Sequence, residues 1–238
     1  MEISVILPAY NEEENIKEAV VSINNYLRKK FRSYEIIVVN DGSTDKTPLI
    51  VKNLARKERR IRLISHPKNT GYGATLRTGF SKSRGRLVFY TDSDNQYKIE
   101  DLDLLLPLIK KYDIVAGYRI KHQDPLMRIF ISHAYNFIIR ALLGLKVKDV
   151  DCSFKLYKGE VFNKIKLKSE TGLIDAEVLI KAKKAGFRIT QVGVRHYPRL
   201  KGKTSYELGG RNKIFAFVNP RVPIAIFKEI RKLWKELR

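Results

Sequence analysis

The strongest constraint on this chain is a set of short, nearly unbroken apolar runs. Residues 3–9 read ISVILPA, 34–41 YEIIVVND, 60–66 RIRLISH, 86–92 RLVFYTD and 112–119 YDIVAGYR. Such Val/Ile-rich runs are strands of a parallel sheet buried on both faces, not half-exposed strands of alternating polarity. The segments between them carry helical spacing. In NEEENIKEAVVSINNYLRKKF, Ile16, Ala19, Val20, Ile23 and Leu27 share one face, with Asn11 and Glu14 as a capping pair. Pro8 is expected to end the first strand. Strand–helix–strand units with right-handed crossovers predict a doubly wound, Rossmann-like α/β fold. In such sheets ligands sit beyond the carboxyl ends of the strands, and PAYNE, NDGS and TDSD all fall at those ends.

After residue 120 the pattern changes to an amphipathic stretch (125–143), short segments, a helix near 175–186 and FRITQVGVRHYPR. No repeat or linker interrupts the chain, and 238 residues suit one domain with a C-terminal appendage. One cysteine, Cys152, excludes a disulfide framework and a cysteine zinc site, so a reducing, cytoplasmic setting is expected. MEISVILPAYNEEE lacks the features of a signal peptide, and no uninterrupted apolar run has the length of a transmembrane helix. Residues 126–145, the nearest candidate, carry Arg128, His133 and Arg140 and would lie on a membrane instead of crossing it. The net charge of +22 draws in phosphates, nucleic acid or an anionic surface without choosing among them.

Asp92, Asp94 and Gln96 follow the fourth strand at alternate positions. Two carboxylates bracketing one residue can share Mg²⁺ or Mn²⁺ and leave positions open for substrate phosphates. The same acids would serve equally to cap the following turn. Asp41, in NDGSTD, is either a turn residue or an acceptor for a base edge or ribose hydroxyl. GYGATLRTG (71–79) lacks the Walker ending and the dinucleotide glycine spacing, so its glycines are expected to serve close packing or turns, with backbone contact to a phosphate the lesser alternative.

ILPAYNEEENI, EIIVVNDGSTDKT, NTGYGATLRTGF, TDSDNQY and DIVAGYR, in that order and spacing, resemble the family-2-type glycosyltransferases of GT-A fold. DCSFKLYKGEVF, GLIDAEVLIKAKKAGFRI and RHYPRLKGKTS are similar to later blocks of the dolichyl-phosphate mannosyl and glucosyl synthase group, so the likeness spans roughly residues 3 to 210. It implies a catalytic domain over 1–210 and a basic amphipathic segment over 211–238 that contacts a membrane surface. It also implies that Pro8, Tyr10 and Glu12 line the nucleotide pocket, with Val39 and Asp41 on base or ribose. Asp92, Ser93, Asp94 and Gln96 would hold the metal and diphosphate, with Asp92, Asp94 and Gln96 as metal ligands. Arg119 would face donor and acceptor phosphates, Arg128 and Ser132 the acceptor phosphate, and Arg199 and Lys203 would close over the donor. At Lys203 the chain departs from the pattern, having GKTS where the group shows Gly-x-Ser-Lys.

The implied reaction is inverting transfer of a sugar, mannose first, from GDP-mannose or a UDP-sugar to a polyprenyl or dolichyl phosphate. A phosphate acceptor is already anionic and needs no general base, which suits a chain without Ser-His-Asp or Cys-His arrangements. The four histidines, 66, 122, 133 and 196, show no metal-ligand spacing. Catalysis would rest on positioning and on neutralising the leaving diphosphate. Asp175 and Glu177 are further catalytic candidates: an acid near here can be the base in glycosyltransferases with hydroxyl acceptors, in this group it would instead bear on metal or acceptor geometry, and the plain alternative is a helix N-terminus favouring negative charge. Segments 125–145 and 212–238 mix Phe, Ile and Trp234 with Lys and Arg and read as interfacial helices, with core packing or dimerisation the alternative. Peripheral attachment to the cytoplasmic membrane face, or a separate membrane-protein partner, follows. A sugar-hydroxyl acceptor is the competing glycosyltransferase reading, although the Gln-x-x-Arg-Trp signature of processive synthases is absent. A sugar nucleotidyltransferase lacks its glycine-rich loop here, and a nucleic-acid module would not gather acids at strand ends.

Overall fold

The computed structural model describes residues 1–120, 139, 144, 147–202 and 230–231. Seven strands form one sheet: β1 (Ile3–Ala9), β2 (Tyr34–Asn40), β3 (Ile61–Ser65), β4 (Leu87–Thr91), β5 (Ile114–Arg119), β6 (Phe154–Lys158) and β7 (Ile189–Val194). Their order is β3-β2-β1-β4-β6-β5-β7. Every residue of β1 and β2 is buried, as continuous apolar runs require. The sheet is mostly parallel. Only β6 runs against its neighbours, pairing antiparallel with both β4 and β5.

That reversal positions the site. Thr91 pairs with Phe154, so the chain leaving β4 meets the chain entering β6, and residues 149–153 lie beside Asp92. A reading of parallel units alone does not anticipate this.

Helices α1 (Ile16–Lys30), α2 (Thr47–Lys57), α3 (Tyr72–Lys82), α4 (Leu102–Leu105), α5 (Glu160–Lys164) and α6 (Ile174–Lys184) cover the two faces. One core joins Ile16, Val20 and Leu27 of α1 and Leu102 of α4 to Val5, Leu7 and Phe89. The other joins Leu76 and Phe80 of α3 and Val178 and Leu179 of α6 to Ile6 and Tyr90. Ile139 and Ile230, from the two segments read as interfacial, are buried in this second core. No helix among the described residues is long and apolar enough to cross a membrane.

Three local expectations change. Helix α1 starts at Ile16, and Asn11, at φ 55, instead accepts the Thr44 amide on its side-chain oxygen. The expected helix around 100–111 is broken into one short helix and two 3-10 turns, with Pro107 between the pieces. Pro8 lies inside β1, opposite Val39. It is tolerated because the pairing of β1 with β4 stops at Ile6, so its missing N–H breaks no ladder on that side.

The glycines of 71–79 are packing devices. A Cβ on Gly73 would lie 2.6 Å from the Thr171 carbonyl oxygen and 2.7 Å from that of Ser169. Those atoms are backbone and cannot swing aside, so α3 seats on the 169–171 loop only through glycine. Gly73→Ala is expected to cost about 1–3 kcal/mol, the usual penalty of overpacking, and to lower the melting temperature by several degrees in a thermal scan.

Candidate active site

Strand β4 ends at Thr91, and the chain turns at Asn95, whose φ of 62 is left-handed. Asp92 and Asp94 stand on this turn, both half-buried. Ser93, between them, donates its hydroxyl to the Pro8 carbonyl at 2.8 Å and staples the turn to β1. Asp92 Oδ1 accepts the Tyr72 hydroxyl at 3.0 Å, and the Ser153 side chain reaches the same carboxylate. Burial, then the Asp94 charge, pushes the Asp92 carboxyl up to about 7. Two acids crowded so that one resists ionising form a hard-oxygen donor pair that fits Mg²⁺ or Mn²⁺.

Arg199 crosses this turn. Its Nη2 donates to Glu12 at 2.7 Å, and its Nη1 lies 3.7 Å from Asp94 Oδ2. Burial raises the Glu12 carboxyl, and the donors Asn15 and Arg199 only partly offset it. Asn15 also donates to the Lys201 carbonyl, so the 199–202 strap is tied down beside the acids. Pro8, Glu12, Asp94 and Arg199 thus lie together at the carboxyl ends of β1 and β4, and Tyr10 follows directly on β1.

Several expected roles are corrected. Gln96 is tied to Tyr197, its Nε2 donating to the Tyr197 carbonyl and its backbone carbonyl accepting the Tyr197 amide, so its carboxamide serves the turn and not Asp92 and Asp94. Val39 is fully buried between Pro8 and Ile64, so its side chain offers no surface to a base. Asp41 is engaged by its own loop: it accepts the Thr70 and Gly71 amides, the Thr70 hydroxyl and a bond with His66 Nδ1. Burial alone would raise its carboxyl, but the bonds from His66, Thr70 and Gly71 outweigh it and hold it below the usual range. Asp41 therefore shapes the 66–71 loop.

Arg119 gives Nε and Nη2 to Asp149 in a two-pronged pair at 2.7 and 2.9 Å, an arrangement that turns this edge from any phosphate. Glu177 accepts the amides of Lys168 and Ser169 and pairs with Lys181 at 2.7 Å, so it is a fastener of the 166–169 loop and not a catalytic group. Asp175 accepts Lys155 Nζ at 2.5 Å and the Tyr90 hydroxyl. It is buried and committed to an ion pair, which removes it as a free base. Arg128, Ser132, Lys203, His122 and His133 lie outside the described residues.

Four residues of this neighbourhood carry no expectation from the strand ends: Tyr72, Asp149, Asp151 and Lys155. DVDCSF contains the signal, since Asp149, Asp151 and Ser153 alternate into β6 as Asp92 and Asp94 alternate out of β4. Asp151 is half-buried, and burial together with Asp175 and Asp149 pushes its carboxyl up to about 7.

Residues 4–166 match the family model described as glycosyl transferase family 2. The chain belongs to that family. Glycosyltransferase AglD of Haloferax volcanii is 31% identical over 220 residues, covering 87% of this chain and 35% of the relative. Dolichyl-phosphate beta-glucosyltransferase ALG5A of Trichomonas vaginalis is 32% identical over 209 residues, covering 81% and 64%. Dodecaprenyl-phosphate galacturonate synthase of Rhizobium johnstonii is 28% identical over 214 residues, covering 87% and 62%. The chain thus spans between about a third and just under two thirds of the length of these curated relatives. Among solved structures, glucosyl-3-phosphoglycerate synthase from Mycobacterium tuberculosis superposes with a TM-score of 0.67 at 22% identity, covering 91% of this family member and 78% of that chain, a likeness of fold. The Rossmann-like GT-A fold expected from the sequence is the fold observed.

Proposed function

We propose that this chain transfers a hexose, with inversion, from a nucleotide-diphosphate sugar to a polyprenyl or dolichyl phosphate. The observation that carries this is the engagement of both sequence-predicted candidate bases. Asp175 is held by Lys155 and Tyr90, and Glu177 by Lys168, Ser169 and Lys181. A hydroxyl acceptor must lose a proton, whereas a phosphate monoester arrives already ionised. The names of the dolichyl-phosphate beta-glucosyltransferases favour glucose over the mannose that the sequence blocks suggest. Association of 125–145 and 212–238 with the cytoplasmic membrane face, alone or through a separate membrane protein, belongs to the same proposal.

In this reading Glu12 and Tyr10 border the nucleotide. Arg199, paired with Glu12 and more loosely with Asp94, would exchange the Asp94 contact for the diphosphate and hold the leaving group while the acceptor oxygen attacks in line. Mg²⁺ or Mn²⁺ on Asp92 and Asp94 would neutralise charge on the leaving diphosphate. The experiment incubates the protein with labelled UDP-glucose or GDP-mannose, Mn²⁺ and polyprenyl phosphate, and looks for label in the lipid phase. Transfer only to sugar hydroxyls, or none with any donor, overturns the reading.

Asp151 favours a second reading. A half-buried carboxylate titrating near 7 is suited to deprotonating a hydroxyl at neutral pH. With a phosphate acceptor, Asp151→Asn is expected to keep transfer within about tenfold of wild type. If Asp151 is the base for a hydroxyl, the loss in initial rate should reach about 10²–10⁴-fold.

A further inference from the structure

Behind the acid pair lies a chain of hydrogen bonds that neither the metal reading nor the candidate bases use. Lys155 is fully buried on β6. Its ammonium has three protons and no lone pair. All three find acceptors: Asp175 Oδ1 at 2.5 Å, the Cys152 carbonyl at 2.6 Å and the Tyr90 hydroxyl oxygen at 3.0 Å. The Tyr90 hydroxyl, accepting from Lys155, sends its own proton to Asp175. The Tyr90 hydroxyl is also an electrostatic neighbour of the Tyr72 hydroxyl.

Tyr72 has one proton and two possible acceptors, the Tyr90 oxygen and the Asp92 carboxylate. Tyr90 is neutral and shares its oxygen with a cation, whereas Asp92 is the acid, so the proton goes to Asp92 Oδ1 at 3.0 Å. Tyr72 is held for this on the first residue of α3, where Gly73 seats the helix on the 169–171 loop. Of these groups Tyr72, on α3, touches the Asp92 carboxylate, while Tyr90 on β4 and Lys155 on β6 stand behind it.

We propose that Tyr72 is a positioning residue for Asp92: with Tyr90 and the Lys155–Asp175 pair behind it, it fixes the carboxylate so that the oxygen not bonded to Tyr72 faces a divalent cation. The proposal rests on the reading of Asp92 and Asp94 as a metal pair and assigns Asp175 a supporting place instead of a base's. Outer partners of this kind orient a ligand without touching the metal, and their loss weakens metal binding by about 10–100-fold.

The test measures Mn²⁺ affinity of the whole chain without donor, by counting free Mn²⁺ in electron paramagnetic resonance. Wild type is expected to bind. Tyr72→Phe, which removes one oxygen and keeps the ring, is expected to melt like wild type without metal and to bind Mn²⁺ at least tenfold more weakly. Tyr90→Phe, which leaves Tyr72 in place and removes the hydroxyl behind it, is expected to weaken binding in the same direction. A folded Tyr72→Phe protein with wild-type Mn²⁺ affinity overturns the positioning role. Should Tyr72→Phe not fold, wild-type affinity in Tyr90→Phe overturns it equally. Wild type that binds no Mn²⁺ refutes the metal reading itself, a different failure from unchanged affinity in the variants.

Discussion

Asp94→Ala is expected to lower sugar transfer by about 10²–10³-fold while leaving the protein folded, the scale seen when one preorganised charge is removed from a reacting site. Asp94 is only half-buried, and its Oδ1 bonds the Gln96 amide at 3.1 Å. Losing that bond should cost the fold about 1 kcal/mol. What disappears with it is half of the acid pair and the partner of Arg199 Nη1. Arg199 keeps Glu12, so the strap stays near the site but loses its second anchor. The Asp94 charge also helps to hold the Asp92 carboxyl up near 7, so removing it lets Asp92 ionise at lower pH. The remaining acid then ionises more readily but stands alone. Asp94→Asn separates charge from shape, because the amide oxygen can still accept the Gln96 N–H. Initial rates at saturating Mn²⁺ should fall in both variants. A wild-type rate in Asp94→Asn would confine this acid to building the turn.

The fold was legible because burial on both faces leaves a plain mark: β1 and β2 are apolar at nearly every position, and the acids that end the strands interrupt the pattern abruptly. Asp92 and Asp94 were legible for the same reason. Gln96 misleads because alternation continues in the sequence past the point where Asn95 turns the backbone, and a left-handed asparagine leaves little trace in periodicity. Asp41 and Arg119 mislead differently. Their residue types suit ligands, but each finds a partner far along the chain, Thr70 for one and Asp149 for the other. Lys155 leaves the least trace in the sequence. A lysine inside FKLYK looks like a solvated residue of an edge strand, and only the antiparallel insertion of β6 between β4 and β5 buries it.

Lys155→Met is accordingly expected to be the most destabilising of these substitutions, by about 3–5 kcal/mol. The side chain is fully buried and Asp175 beside it nearly so, with side-chain exposures of 0% and 5%. Taking two charges out of water is unfavourable, and their attraction and hydrogen bonds roughly offset it. Methionine fills a similar volume but leaves the Asp175 carboxylate with only the Tyr90 hydroxyl. An uncompensated buried anion is the expensive outcome, and at this chain length each kcal/mol corresponds to roughly 2–4 °C of melting temperature. A drop of about 10 °C or more in a thermal scan is the expected result. Combining Lys155→Met with Asp175→Asn removes both charges and should recover much of the loss, a coupling that a double-mutant cycle measures directly. Asp175→Asn alone then distinguishes the two roles proposed for this acid. A general base would show a rate loss of about 10²–10⁴-fold with little change in melting. A buried partner of Lys155 shows the reverse order, a clear loss of stability and a smaller loss of rate, and that order is the one expected here.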